Sequence, residues 1–397
     1  MPGAYIVEAV RTAAGRRKGG LSERHPCDLG GDVINAVVDR TNIDPNSIDD
    51  VIFGCVSQVG AQAGNLARGC VLSSKLPITV PGTTVDRQCG SSLQALHFAA
   101  QAVMSGTQDV VIAGGVEVMT LCPIGSSVRD GMSAGHGMPY DGEYMQERYP
   151  GVMFSQFAGA ELVAKNFNVS RAEMDDFAVE SHRRAFEATE KGYFKREIVP
   201  VKGKNKAGDE IVVDRDEGIR WPSNREKIGK LPLLAGDEGR ISAATSSQIS
   251  DGASAMLICN EAGLRKLGLK PRARIVELAL AGDDPVMMLS APIPATRKLL
   301  QRANMTIDQI DLYEVNEAFA SVPLAWMKEL GADFNKLNVN GGAMALGHPL
   351  GATGTKITTT LLHEMERRNA RYGVVAICEG GGTANACLIE RVSSAKL

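Results

Sequence analysis

"SIDDVIFGCV" at residues 47–56 is echoed by "IDQIDLYEVNEAF" at residues 307–319, and the elements after each copy run in the same order. Each is an aspartate-led apolar run of strand length. The first is followed by a helical pattern near 62–74, the run "GTTVDRQC", a helix from 90 to 105 and a strand "DVVIAGGVEVM" at 109–119. The second is followed by a helix near 320–330, a strand "KLNVNGG" at 336–342, a long helix over 351–368 and "YGVVAICEGGGTANACLIE" at 372–390. Glycine-bounded strands alternating with helices predict parallel or mixed sheets covered by helices. The stretch from Asp50 to Ala113 is close in length to that from Asp311 to Glu379, so the chain reads as two duplicated halves. A cleft between such halves is a common ligand site.

Residues 120–245 break the pattern. "DGMSAGHGMPYDGEYMQERYPG" is rich in Gly and Met, and "VKGKNKAGDEIVVDRDEGIRWPSNREKIGKLP" is charged and turn-rich. Between them "SRAEMDDFAVESHRRAFEATEKG" (170–192) predicts a helix with Ser170 as N-cap, Glu173 completing a capping box and Gly192 as its stop. The expected division is 1–119, continued by 246–272, as one half, 120–245 as an inserted loop domain, and 273–397 as the other half.

The totals exclude several classes. With 44% hydrophobic and 22% charged residues and a net charge of −3, the chain gives no reason to expect nucleic acid or an anionic membrane as partner. No apolar run reaches the ~20 residues a membrane helix needs. The opening "MPGAYIVEAVRTAAG" reads as a first strand rather than a leader. None of the eight cysteines is paired as C-x-x-C, so no zinc or redox site is expected and free thiols in a cytoplasmic setting are. Neither G-x-G-x-x-G nor G-x4-G-K-[ST] occurs, which removes the usual nucleotide-cofactor motifs.

Cys89 lies where "TTVD" gives way to the helical "SSLQALHFAAQAVM". Free N–H groups and the dipole at a helix start favour an anion, so a lowered thiol pKa is expected there, and the same N–H groups could hold an oxyanion. Gly90 and Ser91 keep the approach open. His97 sits on the same helix but ~12 Å further along its axis, out of hydrogen-bond reach. His348, in the glycine-rich "NGGAMALGHPLGATG", is the better base, although spacing does not fix whether it meets Cys89. Cys378 ends the apolar "GVVAIC" before "EGGGTAN", as a reactive group on an open strand end or as the last core residue of a buried strand. Asn316 and Glu317 also follow a strand, where a turn or a helix cap is the plain alternative.

In order and spacing, "VDRQCGSSLQA", "NEAFA", "GGAMALGHPLGATG" and "CEGGGTANA" resemble the four active-site motifs of the thiolases, and "EAVRTAAG" and "TSSQISDGAS" (245–254) extend the resemblance over essentially the whole chain. The resemblance implies an α/β thiolase fold, five-layered αβαβα from two duplicated halves plus an inserted loop domain that binds coenzyme A. It implies that Cys89 is the nucleophile that carries the acyl group, and that His348 activates it. Asn316, through a water, completes one oxyanion hole with His348. Cys378 is the acid/base, and the N–H groups of Cys89 and Gly380 form the second hole. Ser247 is implied at the pantetheine arm, Phe319 packing on that arm, and Arg220 near the adenine. The implied reaction is cleavage of a 3-oxoacyl-CoA to acetyl-CoA and a shortened acyl-CoA, a reversible Claisen condensation with CoA as substrate and no bound cofactor or metal. A homodimer or homotetramer is implied as well.

Four departures from the family pattern stand out, two at the helix start and two that bear on the subgroup. Asp86 stands for the usual Asn, and Ser92 for the usual Gly, around the nucleophile. In "MTLCPIGS" Ile124 replaces the histidine of biosynthetic acetoacetyl-CoA thiolases, and "QFAGAE" (156–161) replaces "MGxTAE", both pointing to the degradative, bacterial branch. A biosynthetic thiolase is the alternative. A ketoacyl synthase would pair its cysteine with two histidines, or with His and Asn, where this chain offers His348 and Cys378. A non-catalytic lipid-binding protein of the same fold would be expected to have lost one of the four motifs.

Overall fold

The computed structural model describes residues 2–392; Met1 and residues 393–397, the end of the expected second half, lie outside the described residues. Nine strands form the continuous path of the main sheet: β1 (Ala4–Thr12), β2 (Asp50–Gly54), β3 (Gly82–Val85), β4 (Val110–Val118), β5 (Ser250–Cys259), β6 (Ala273–Gly282), β7 (Leu312–Val315), β8 (Tyr372–Glu379) and β9 (Thr383–Arg391). The helices that matter are α1 (Pro26–Thr41), α2 (Leu66–Leu72), α3 (Ser91–Ser105), α4 (Arg171–Glu190), α5 (Pro292–Ala303), α6 (Ser321–Leu330) and α7 (Thr353–Arg368). The strand order is β7-β8-β9-β6-β1-β5-β4-β2-β3.

The pairing shows the duplication. In one half β2 runs parallel to both β3 and β4, and β5 runs antiparallel to β4. In the other, β7 runs parallel to β8, and β9 antiparallel to β8. Helices α1 and α2 pack on the outer face of one half, α5 on the outer face of the other with α6 beside it, and α3 and α7 lie together between the halves. In that middle layer Leu93, Leu96, Leu361 and Leu362 are buried, each contributing about 1.5–3 kcal/mol by leaving water. Helix α7 is buried over most of its length, so its polar side chains must be satisfied locally. Thr358 and Thr359 donate to the carbonyls of Gly354 and Thr355, each at 2.7 Å. The two central helices nearly touch at Gly354, where a Cβ would overlap the Leu93 amide.

Three expectations need correction or trimming. "KLNVNGG" is not a strand; only Leu337 bridges Tyr313. Asn338 is left-handed there (φ 44), and its side-chain amide takes over the ladder. It donates to Val315 O and accepts from Val315 N, both at 2.9 Å. The helix expected near 62–74 shrinks to α2, because Gly64 and Asn65 are left-handed and Asn65 caps the start. The 170–192 helix ends at Glu190, with its Ser170–Glu173 capping box in place and Gly192 at φ 72 just beyond.

Residues 120–245 are fastened to the core by Arg11 of β1. Its guanidinium is fully buried. It pairs with Glu197 at 2.6 Å and, through both terminal nitrogens, with Asp216 at 2.8 and 3.0 Å. Among the described residues no helix is long and apolar enough to cross a membrane.

Candidate active site

The nucleophile turn joins β3 to α3. Gln88 is left-handed (φ 48), its amide donates to Asp86 Oδ1 at 2.7 Å, and Ser91 Oγ donates to its carbonyl at 2.6 Å. Asp86 and Ser92, the two departures, are thus structural: Ser92 Oγ accepts from the Thr355 amide of α7 at 3.1 Å. Cys89 is part-exposed at the start of α3. The expected lowering of its pKa is not found. Burial, and then the charge of Glu379, push the thiol up to about 12, so desolvation outweighs the helix start.

The second cysteine comes from the other half. Cys378 is fully buried near the end of β8. Burial and then Cys89 hold its thiol well above the ordinary value. Gly380 lies against the nucleophile turn, since a Cβ there would be 3.0 Å from Gln88 Oε1. Gly381 and Gly382 follow at φ 81 and 77, a reversal that side chains would strain. Asn385 of β9 donates to Gly90 O at 3.0 Å.

His348 and Asn316 form the third group. Asn316 Nδ2 lies 3.3 Å from His348 Nε2. His348 Nδ1 lies 2.6 Å from Thr353 Oγ1, which itself lies 2.8 Å from Pro349 O. A carbonyl only accepts, so the single Thr353 proton goes to Pro349 O and its oxygen accepts from Nδ1–H. Nε2 is therefore the unprotonated nitrogen. Burial, and then Lys356, lower the imidazole to about 3, leaving it neutral. The loop after His348 is braced by Glu117, a fully buried carboxyl. It accepts from the amides of Val56, Ser57 and Gly351 at 2.9, 3.0 and 2.9 Å, and from Gln62 Nε2 at 2.7 Å. The same loop packs on the first turn of α3: a Cβ on Gly54 would lie 2.5 Å from both Gly351 O and Ser92 N.

A cavity of about 760 Å³ opens beside this centre, lined by Arg16, Arg17, His182, Arg220, Lys227 and Ser247 among others. Gln248 and Met344 also line it, and Gln248 O accepts from the His348 amide at 3.3 Å. His182 accepts from the Arg220 amide at 3.1 Å. Burial, and then Arg220, lower it to about 4, so the four cationic side chains give the groove its charge. Phe319 does not line the groove. It is 3% exposed, bridged by its backbone to Ser246, a lining residue, and edge-on to Phe157.

Of the residues singled out in the sequence, the structure gathers Cys89, Cys378 and Gly380 at one place and Asn316 and His348 at another on the same loop cluster. Arg220 and Ser247 share the groove. His97 is buried on α3. Thr353, Glu117 and Glu379 were missed. A threonine following the histidine loop and an acid directly after Cys378 were visible signals; Glu117 had none, since its partners are scattered along the chain.

A helix-start cysteine, a second cysteine from the opposite half and a neutral imidazole beside a cationic groove define an enzyme that moves acyl groups between sulfurs. Family models of the thiolase N-terminal domain and the thiolase C-terminal domain match residues 4–262 and 269–391. A steroid 3-ketoacyl-CoA thiolase of Mycobacterium tuberculosis is 50% identical, over 99% of this chain and 95% of that protein. A 3-ketoacyl-CoA thiolase of Pseudoalteromonas translucida is 43% identical over 98% of each. The crystal structure of the Bacillus anthracis acetyl-CoA acetyltransferase superposes with a TM-score of 0.88 at 34% identity, covering 99% of both chains. The chain belongs to the thiolase family and is an acyltransferase of the five-layered thiolase fold.

Proposed function

We propose that this thiolase cleaves 3-oxoacyl-CoA with Cys89 as nucleophile, His348 as its base and Cys378 as acid/base. The observation that carries the reading is the meeting of the Cys89 turn with the Cys378–Gly380 strand end from the other half, with the loop after His348 packed on the first turn of α3 and the histidine's Nε2 unprotonated. Cys89 gives its proton to His348 as its sulfur attacks the 3-keto carbon. The Cα–Cβ bond breaks, and its electron pair leaves on the acetyl-CoA enolate, which takes the proton of Cys378. The incoming CoA thiol returns a proton to Cys378 and attacks the thioester. Cys89 departs and regains its proton from His348. Both thiols are held protonated and the imidazole neutral in the resting site, so proton transfer accompanies attack rather than preceding it. Negative charge develops on two carbonyl oxygens. Asn316 with His348 serves one, and the amides of Cys89 and Gly380 the other, at ~2.7–4 kcal/mol per donor. Covalent relay makes the kinetics ping-pong.

Ser247 and Arg220 hold the CoA along the cationic groove, and residues 120–245 form its cover. The enzyme works in the cytoplasm on free cysteines as a homodimer or homotetramer. The exposed Leu121, Ile124, Met132 and Tyr140 support an interface on that segment, and light scattering reads the assembly. Ile124 and the relatives' names favour the degradative branch over the biosynthetic one. Cys89→Ser is expected to abolish the acyl-enzyme seen by mass spectrometry after mixing with acetyl-CoA. Cys378→Ala is expected to keep it and lose thiolysis. Acylated Cys89→Ser, or full turnover by Cys378→Ala, would overturn these roles, and thiolysis across 3-oxoacyl-CoAs of increasing length and ring content reads the substrate range.

A further inference from the structure

Glu379 follows Cys378 directly and has no part in the reaction above. It is fully buried and reaches across to the nucleophile turn: a Cβ on Gly90 would overlap its Oε1 and lie 2.8 Å from Asn385 Oδ1. Oε2 accepts from Thr383 Oγ1 at 2.7 Å. Oε1 has no partner among the described residues, and neither has Asn385 Oδ1. The Asn385 amide cannot simply be turned round, because its Nδ2 donates to Gly90 O at 3.0 Å, and reversal would set two oxygens against each other. Two buried acceptors thus lie within 2.8 Å of the same point, the Cβ position of Gly90, and no donor is found for either among the described residues. As a carboxylate, Glu379 would leave both acceptors without a donor, which is unfavourable in a dry interior. A single proton on Oε1 satisfies both.

We propose that Glu379 is a positioning residue held as a neutral carboxylic acid that donates to Asn385 Oδ1, completing a hydrogen-bonded chain from Thr383 through Glu379 and Asn385 to the Gly90 carbonyl. That chain clamps the Cys89 turn of one half to the Cys378 strand end of the other. Burial pushes the carboxyl up to about 7 against the opposing pull of Thr383, Arg87 and the Asn385 backbone amide. The groups facing it are Asp86, Arg87 and Cys89 on the nucleophile turn, Cys378 on its own strand, and the neutral Thr383 and Asn385 on β9. Its proton has a second effect, which rests on the thiolase reading. Once the acid ionises, its charge faces both thiols and raises both. The neutral acid thus keeps Cys89 easier to deprotonate, and this advantage is lost as pH rises through the titration of Glu379.

Two readouts that need no turnover test this. In the wild-type enzyme the infrared C=O stretch of a protonated carboxyl should be present at pH 6, fade as pH rises, and be missing from Glu379→Gln by difference. Alkylation of Cys89 by iodoacetamide, located by peptide mass spectrometry, should be about tenfold faster in Glu379→Gln than in wild type at pH 8.5, the effect of one pKa unit. Thr383→Val removes a donor to the carboxylate and should move the infrared titration to higher pH, an independent check if Glu379→Gln folds poorly. The same carboxyl band in wild type and Glu379→Gln would mean an ionised, water-bridged Glu379 and overturn the proposal. Superimposed alkylation profiles would overturn the charge effect. Acyl-enzyme formation by wild type tests the thiolase reading separately, because neither readout depends on it.

Discussion

At the scale of single residues the centre works by fixing which atom carries each proton. Thr353 decides the His348 tautomer, because its own proton is committed to Pro349 O. Thr353→Val frees Nδ1, lets the ring place its proton on Nε2, and removes the base. A fall of ~10²-fold in kcat, near the lower end for loss of general-base catalysis, is expected with little change in KM; steady-state thiolysis rates measure it. Because burial lowers His348 to about 3, lowering the pH from 8 to 5 does not protonate it. The kcat/KM profile over that range should carry no inflection from the imidazole and no rise from a thiolate, because both thiols stay protonated until attack. An acid limb that vanishes in a His348 variant would contradict this.

At the scale of elements, one buried acid links β4, the segment after β2 and the histidine loop. Glu117→Ala leaves the amides of Val56, Ser57 and Gly351 and the Gln62 side chain without their acceptor. At ~1–3 kcal/mol for each stranded group, the loss should exceed about 3 kcal/mol and show as a lower urea midpoint, with activity falling because Gly351 anchors the His348 loop. This brace marks the limit of what the sequence allows. Strands, central helices and the turn and strand end that carry Cys89 and Cys378 were legible because each is a local signal: a glycine after an apolar run, a cysteine before a helix, a capping box at Ser170. Glu117 was not, since its value lies in partners far apart along the chain. The missing strand at 336–342 failed for a related reason: Asn338 replaces backbone pairing with its side chain, which apolar alternation does not reveal. The Cys89 pKa failed because a helix start was visible while the depth of burial was not.

At the scale of the whole molecule, the two halves carry the residues proposed for the chemistry and the segment 120–245 lines much of the groove. Arg16 and Arg17 come from the first half, Arg220 and Lys227 from the segment. Four cations along one cavity suit the phosphates of CoA, and such contacts weaken as salt screens them. Arg220→Ala should raise the KM for CoA about tenfold, a loss of ~1.4 kcal/mol, while leaving kcat nearly unchanged. Initial rates at varied CoA and ionic strength read this, and an unchanged KM would remove Arg220 from the binding site.

Arg11 has a consequence for how cargo is exchanged. Prising the segment off β1 would strand a guanidinium or two carboxylates in a dry interior, a penalty of ~3–5 kcal/mol for a broken buried pair. The roof over the passage is therefore riveted rather than hinged. On the proposed reading, an acyl-CoA would have to enter and leave lengthwise under a fixed cover rather than wait for it to lift.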